Sequence, residues 1–236
     1  MITVYIMTYN EEIMIDFTIN HYRKRFPNCN IVLCDNFSTD KTREIANKYG
    51  SKIQDFNTND KIDDYKYLEL KNNCWKTADT NWVLVCDADE LLDITYKQLQ
   101  SEDLNGTTII RSEGYNMVNM EDNLDLLSIK NGVKAEQYNK SLLFNRSKLK
   151  EINYTIGCHN AIPLGKVIYS KNIYPLYHYK FLNTDYQIAR YSMYASRLSD
   201  NNKKFGMGFH YLDNEELIRI HYKNMRDLAR NNKVRD

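Results

Sequence analysis

Short apolar runs alternate with stretches of helical periodicity over the first ninety residues of this chain. The runs at residues 2–7 and 82–86 are rich in strand-forming residues and give way to polar ones, which is typical of a strand buried on both faces, and residues 52–56 form a short strand. The four runs and the three helical stretches between them are, in chain order, residues 2–7, 11–25, 30–34, 43–49, 52–56, 62–77 and 82–86. This alternation predicts parallel strands joined by right-handed helical crossovers.

The pattern changes after residue 90. The later strand-like segments are less regular and partly amphipathic, and they lie at residues 107–111, 140–146, 166–169 and 173–179. Helices are predicted at residues 183–199 and 213–230. The apolar positions of the last helix are Leu217, Ile220, Met225 and Leu228. The predicted fold class is α/β, with a mostly parallel central sheet, helices on both faces, a mixed antiparallel part and C-terminal helices.

Composition narrows the class of protein. The 236 residues are 42% hydrophobic and 27% charged, the balance of an ordinary soluble domain. A formal net charge of +1 and the lack of an interleaved basic and aromatic patch argue against a nucleic-acid partner. Five cysteines without a CxxC pair indicate free thiols in a reducing cytoplasm. We expect no signal peptide, because Met1 leads directly into a strand, and no apolar run reaches transmembrane length.

Polar clusters follow three of the predicted strands, at residues 8–11, 35–42 and 87–90. The carboxyl ends of neighbouring parallel strands meet at one edge of a sheet, where open α/β folds bind ligands. Asp87 and Asp89 are spaced so that both can turn toward one cation, and hard oxygen ligands suit Mg²⁺ or Mn²⁺. The alternative is an acidic turn that only caps the next helix.

The cluster after the second strand also has two interpretations. Asp35 can accept a hydrogen bond from the N–H of a nucleobase, or Asp35 and Ser38 can cap the next helix. No glycine follows the first strand, which excludes a glycine-rich phosphate loop there. A metal ion is therefore the expected means of neutralising a bound diphosphate.

In order and rough spacing, the three clusters resemble those of family-2-like glycosyltransferases of the GT-A fold, over about residues 1–95. The resemblance implies that the first two clusters bind the nucleotide of a sugar donor, and that Asp87 and Asp89 contact its ribose and the Mn²⁺ or Mg²⁺ ion on its diphosphate. The residues placed on the nucleotide in this way are Thr8, Tyr9, Glu11 and Asp35.

Two later histidines are candidates for the same site. The resemblance implies that His178, at the end of a predicted strand, binds the metal or lies near the donor phosphates. His159, in the segment Gly157-Cys158-His159-Asn160, is expected to meet donor or acceptor hydroxyls. The alternative for each is a structural histidine held by hydrogen bonds.

Inverting transfer requires a carboxylate that removes the proton of the acceptor hydroxyl. The usual Glu-Asp pair of the family is not obvious here. Glu121-Asp122 has the right residue types but comes early after the metal motif, and Glu113 follows a strand in an equally suitable place. The catalytic candidates are therefore Glu113 and Asp122, together with Asp89 through its cation. An ordinary surface carboxylate is the alternative for Glu113 and for Asp122.

These inferences predict a metal-dependent glycosyltransferase. It would transfer a hexosyl or deoxyhexosyl group from a UDP- or dTDP-sugar to a glycan or glycolipid acceptor, with inversion favoured and retention left open. Residues 1–95 would form the nucleotide-sugar-binding half, residues 96–182 the acceptor-side half, and residues 183–236 a C-terminal helical extension. The expected location is the cytoplasm, with peripheral contact to a membrane surface left open.

Three alternatives have the same kind of sheet. One is a catalytically silent nucleotide- or sugar-binding protein, against which the intact pair of Asp87 and Asp89 argues. A nucleotidyltransferase usually begins with a glycine-rich basic loop, which is absent. A phosphatase of the haloacid dehalogenase type expects threonine where Leu91 stands, and carries its motif on the first strand rather than the fourth.

Overall fold

A nine-stranded mixed sheet forms the centre of the molecule in a computed structural model that describes residues 1–121 and 123–235. The strand order is β3-β2-β1-β4-β8-β6-β11-β5, with β7 paired to β6, while β9 and β10 form a separate hairpin-like pair. The strands are β1 (Ile2–Thr8), β2 (Asn30–Asp35), β3 (Lys52–Asp55), β4 (Trp82–Asp87), β5 (Glu90–Leu92), β6 (Ile109–Val118), β7 (Asn131–Lys134), β8 (Leu143–Asn145), β9 (Leu149–Glu151), β10 (Leu164–Gly165) and β11 (Tyr169–Phe181).

Helices cover both faces of this sheet. They are α1 (Ile15–Arg25), α2 (Thr42–Lys48), α3 (Asp64–Asn73), α4 (Tyr96–Leu104), α5 (Thr184–Arg197), α6 (Asp200–Lys204) and α7 (Glu215–Ala229). Alternate residues of β1 enter different cores: Val4 and Ile6 pack with Ile19 of α1, whereas Tyr5 and Met7 pack with the segment that follows α3. The α/β class with helices on both faces is confirmed.

The parallel part of the sheet sets the position of the polar clusters. Strand β1 lies between β2 and β4 and is parallel to both. In register, Thr8 is opposite Asp35 and Met7 is opposite Asp87. The ends of three strands are therefore side by side, as the sequence predicts.

The second half is less regular, as expected, and its strands differ in length from the predicted ones: β6 and β11 are longer, whereas β8 is shorter than the predicted segment 140–146. The predicted segments 166–169 and 173–179 are parts of one strand, β11, because it pairs with β6 across a register shift between Tyr169 and Ile173. The pairs β4–β8, β6–β8, β6–β7 and β5–β11 are antiparallel. This arrangement brings the end of β11 beside β5 and the acidic turn that precedes it.

The last helix buries a different face from the predicted one. Its buried residues are Ile218, Tyr222, Met225 and Ala229, whose spacing gives one continuous stripe. The predicted Leu217, Ile220 and Leu228 are exposed. The reason is that α7 packs on Val118 and Phe181 of the sheet, and only the stripe that contains Tyr222 reaches them. No helix among the described residues combines the length and the apolar character needed to cross a bilayer.

Candidate active site

A cavity of about 510 Å³ opens where β1 and β4 end. It is bordered by the loop after β1, the acidic turn after β4, the end of β11, one side of α5 and the loop 206–211. Of the residues singled out in the sequence, those that line it are Thr8, Tyr9, Glu11, Asp87, Asp89, His159 and His178. Seven side chains from distant parts of the chain thus meet in one place.

Asp89 and His178 form the part of the cavity best suited to a cation. The Oδ2 atom of Asp89 lies 3.5 Å from Nε2 of His178. The Nδ1–H of His178 donates to Oδ1 of Asn116 at 2.8 Å. Nε2 therefore either carries a second proton toward Asp89 or offers its lone pair to a cation that both residues bind. Burial opposes ionisation of Asp89, but His178 holds the pKa of its carboxyl well below the usual range.

Asp87 already has a cationic partner. Nζ of Lys71, on α3, lies 2.7 Å from Oδ1 and 2.8 Å from Oδ2 of Asp87, and Lys71 is buried. Burial alone would lower the pKa of Lys71, but Asp87 raises it well above its ordinary value. Across the described residues, no three His, Cys, Asp or Glu side chains are arranged to hold an ion. Asp89 and His178 are therefore two candidate ligands and not a complete metal site, and Asp87 pairs with the ammonium group of Lys71.

Glu90 stabilises the acidic turn through two contacts of its carboxylate. Its carboxylate pairs with Nζ of Lys140, and both side chains are buried. Its Oε2 also accepts a hydrogen bond from the backbone N–H of Asp87 at 3.2 Å. Sequence reasoning gave no role to Glu90 and missed Lys71 and Lys140. The available signal was weak: Lys71 falls one helical turn after Tyr67, on the inner side of α3.

Asp35 lies behind the residues that line the cavity and accepts a hydrogen bond from one of them, Thr8. It is fully buried and does not itself line the cavity. Its carboxylate accepts hydrogen bonds from Thr8 Oγ1 (3.0 Å), Ser38 N (3.0 Å), Ser38 Oγ (2.6 Å) and Arg43 Nη1 (2.9 Å). These four donors occupy the acceptor positions of the carboxylate. Ser38 thus binds Asp35 and does not cap α2, which begins after Lys41 without a side-chain cap.

Two arginines of α5 contact Glu11 and Tyr9, two of the residues that the sequence places on the nucleotide. Arg190 pairs with Glu11, and the guanidinium of Arg197 lies 3.1 Å above the ring centroid of Tyr9. Arg197 and Tyr9 also share the carboxylate of Asp60. Burial raises the pKa of Glu11 to about 7, although Arg190 opposes the shift. The predicted C-terminal extension therefore supplies part of the cavity wall.

Of the two predicted carboxylate bases, Glu113 does not join this group. Glu113 is absent from the cavity lining, and its side chain bonds Lys134 and the hydroxyl of Tyr115. Asp122 lies outside the described residues. The strand that carries Glu113 contributes Asn116 instead, behind His178.

The sequence matches a known family. Residues 3–158, more than half of the chain, match the family described as Glycosyl transferase family 2. The chain belongs to this family, which confirms the resemblance drawn from the strand-end clusters. No curated protein gave a match.

Solved structures with a similar fold share little sequence with the chain. A structure of S. aureus TarS, residues 1–349, is 18% identical, with a TM-score of 0.48, and the match covers 81% of this chain and 62% of that one. Glucosyl-3-phosphoglycerate synthase from Mycobacterium tuberculosis, in complex with Mn²⁺, UDP and glucosyl-3-phosphoglycerate, is 17% identical over 48% of this chain and 43% of its own, with a TM-score of 0.35. The mannosyltransferase PcManGT from Pyrobaculum calidifontis, with GDP-Man and Mn²⁺, is 18% identical over 51% and 36%, with a TM-score of 0.35.

Proposed function

We propose that this chain is a metal-dependent glycosyltransferase that uses a UDP- or dTDP-sugar. The observation that carries the proposal is that the nucleotide-side residues Thr8 and Tyr9 and the cation-side pair of Asp89 and His178 line one cavity. Membership in glycosyl transferase family 2 supports the reaction class.

The chain's own residues would divide the work as follows. Asp89 and His178 would hold Mn²⁺ or Mg²⁺, which when bound neutralises the donor diphosphate and stabilises it as a leaving group. Lys71 would hold the Asp87 carboxylate in place, so that it can meet the ribose hydroxyls. Tyr9, stacked under Arg197, would border the base. The bond from the acceptor oxygen to the sugar carbon forms as the bond from that carbon to the phosphate oxygen breaks.

Exposed apolar side chains at the opening of the cavity support the proposal that the acceptor has an apolar part. Phe209 lines the cavity, yet 71% of its surface is exposed, and Ile156 on the opposite loop is also exposed. Phe205 is exposed four residues before Phe209. Exposed apolar groups beside a polar site suit a glycolipid better than a free sugar. A glycolipid acceptor, met at a membrane surface, is therefore our proposal for the acceptor class.

The proposal is tested first by binding. Titration of the protein with UDP, with and without Mn²⁺, is expected to show tighter binding with the metal, and binding at 100 times Kd would add about 2.7 kcal/mol to the free energy of unfolding. Asp89→Asn should lose the effect of Mn²⁺. Asp227→Asn, an exposed aspartate of α7, is the matched control and should retain it.

Turnover separates an enzyme from a silent binding protein. UDP-glucose, UDP-galactose, UDP-N-acetylglucosamine and dTDP-glucose would each be incubated with protein and Mn²⁺, and release of the nucleotide measured. Release that depends on Asp89 and stops in EDTA is expected. Binding without any release would reject the transferase, and release unaffected by EDTA would remove the metal from the mechanism.

A further inference from the structure

His159 has a fixed tautomer and a free ring nitrogen. Its Nδ1 lies 2.8 Å from the backbone carbonyl oxygen of Gln137. A carbonyl oxygen can only accept, so Nδ1 carries the proton and Nε2 carries a lone pair in the neutral ring. Nε2 has no hydrogen-bond partner among the described residues, and His159 lines the cavity. The ring thus offers a proton acceptor to whatever occupies the cavity.

The backbone before His159 is shaped to present this ring. Gly157 has a φ of +76° and Cys158 a φ of +55°, two consecutive residues in the left-handed region. A side chain at Gly157 would begin 3.2 Å from Cδ2 of His159. Glycine takes this left-handed conformation at residue 157 without strain. The turn places the imidazole of His159 in an edge contact with the ring of Tyr138. The ring of Tyr138 also stacks on His178, with 3.9 Å between the ring centroids. Tyr138 thus contacts both His159 and His178, and His178 belongs to the cation-side pair with Asp89.

The surroundings keep His159 neutral. Burial and the ammonium group of Lys140 lower the pKa of its imidazole, while the bond to Gln137 and the carboxylates of Glu90 and Asp87 oppose the shift. A base that is unprotonated at neutral pH and faces the substrate cavity is competent to accept a proton.

Among residues 1–121 and 123–235, five carboxylates line the cavity, and they are less suited to this step. Four of them contact a basic side chain, and the pairs are Glu11 with Arg190, Asp87 with Lys71, Asp89 with His178, and Glu90 with Lys140. The fifth, Asp64, lies at the start of α3 on the side of the predicted nucleotide-binding half. His159 lies in the half predicted to receive the acceptor.

We propose that His159 is the general base of the transfer reaction. Its Nε2 accepts the proton of the acceptor hydroxyl as the oxygen of that hydroxyl bonds to the sugar carbon and the nucleoside diphosphate leaves with the electron pair of the broken bond. The imidazolium then returns its proton to solvent. The proposal rests on the glycosyltransferase function proposed above, and it assigns a base that the sequence reasoning sought among carboxylates.

The test compares His159→Gln with the wild type on the nucleotide sugar of the four-member panel that the wild type hydrolyses fastest. Water is then the acceptor and loses its proton to the same base. We expect kcat to fall by about 100-fold or more, while the Kd for UDP and Mn²⁺ stays within twofold. The rise of kcat with pH below neutrality should disappear in the variant. Imidazole added to His159→Ala should restore part of the rate.

Two further variants keep the result specific. His221→Gln removes an exposed histidine that packs on Phe181 outside the cavity, and it should retain the wild-type rate. Asp64→Asn tests the carboxylate without a cationic partner, and it should retain the pH profile. A His159→Gln rate within fivefold of the wild type, or a loss of the pH limb only in Asp64→Asn, would overturn the assignment. Wild-type binding without turnover would instead reject the proposed function, and with it this step.

Discussion

Buried charges in this protein occur in matched pairs around the cavity. Lys71 and Lys140, both buried, neutralise Asp87 and Glu90 before any ligand arrives. Burying an unpaired charge is costly, and each of these lysines pairs with one carboxylate of the cavity lining. Asp89 differs because its partner is a histidine, whose nitrogen can give up a proton and bind a metal instead. At the scale of single residues, this contrast supports the proposed role of Asp89 as a cation ligand.

A second buried histidine gives a prediction about stability and pH. His21, on α1, donates from Nε2 to the carbonyl oxygen of Leu92 at 2.9 Å. Burial lowers the pKa of its imidazole to about 3, helped by Arg25 and Arg235 and opposed by the Leu92 bond and Asp93. The unfolded chain, with a histidine pKa near 6.5, binds more protons than the folded chain between these values. Stability is therefore fully present above about pH 6.5 and is lost as the pH falls toward 3.

The expected size of this effect is about 2 kcal/mol of unfolding free energy between pH 7.5 and pH 5. His21→Gln keeps a donor for the Leu92 carbonyl but does not titrate. Urea unfolding at both pH values should show that the variant loses less stability than the wild type on acidification, by about that amount. Equal losses in the two proteins would mean that His21 takes up its proton without unfolding.

Site residues were predictable where they follow a strand directly. Thr8, Asp87 and Asp89 stand at the ends of β1 and β4, and adjacency in a parallel sheet carries them to one edge. Lys71 and Lys140 could not be found in this way, because they reach the cavity from the interior of a helix and from an irregular segment. A charged residue inside a helix normally faces solvent, and only tertiary packing turns it inward.

Among the elements, β6 supports the site through one close contact. A Cβ atom at Gly114 would lie 2.3 Å from Cβ of Tyr138 and 2.7 Å from the carbonyl oxygen of Ala135. The strand can therefore approach the segment that carries Tyr138 only without a side chain at residue 114. This approach holds the Tyr138 ring against His178.

Gly114→Ala should therefore displace Tyr138 and loosen His178. We expect a loss of about 1–3 kcal/mol in the free energy of unfolding, typical of overpacking, together with weaker binding of UDP and Mn²⁺. Urea unfolding and titration calorimetry measure the two effects. Gly106→Ala is the control, because residue 106 has open space around it and only its φ of +78° costs stability, by about 1 kcal/mol. Unchanged nucleotide binding in Gly114→Ala would contradict the supporting role of β6.

The elements themselves were predicted best where the hydrophobic pattern is continuous. The strands β1, β2, β3 and β4 lie within a residue of their predicted ends. For β1, β2 and β4 the reason is that an apolar run is closed by polar residues. The sequence did not predict that residues 169–181 form one strand, because Lys171 and Asn172 interrupt the apolar pattern. The strand is continuous because it pairs with β6 on both sides of this interruption. The buried face of α7 was missed because its exposed face also carries leucine and isoleucine, so composition did not distinguish the two sides.

At the scale of the molecule, the C-terminal helices are part of the same structure as the sheet. Helix α5 binds the first half through the Arg190–Glu11 pair and a backbone bridge between Leu198 and Ile62. Helix α7 packs on β6 and β11, and the chain after it bonds the backbone of Lys130 through Val234. These contacts link residues 183–235, most of the predicted C-terminal helical extension, to both preceding parts of the chain.

Unfolding should therefore occur in one step throughout the described chain. The two tryptophans, Trp75 and Trp82, are both buried in the first half, so their fluorescence reports on the sheet. Circular dichroism at 222 nm also reports on α5, α6 and α7. In urea, the two signals should give the same midpoint and the same slope, because contacts that bridge the halves couple their unfolding. If the helical signal fell at lower urea than the fluorescence, the C-terminal helices would unfold first, and the cavity wall that they supply would be an independent, less stable unit.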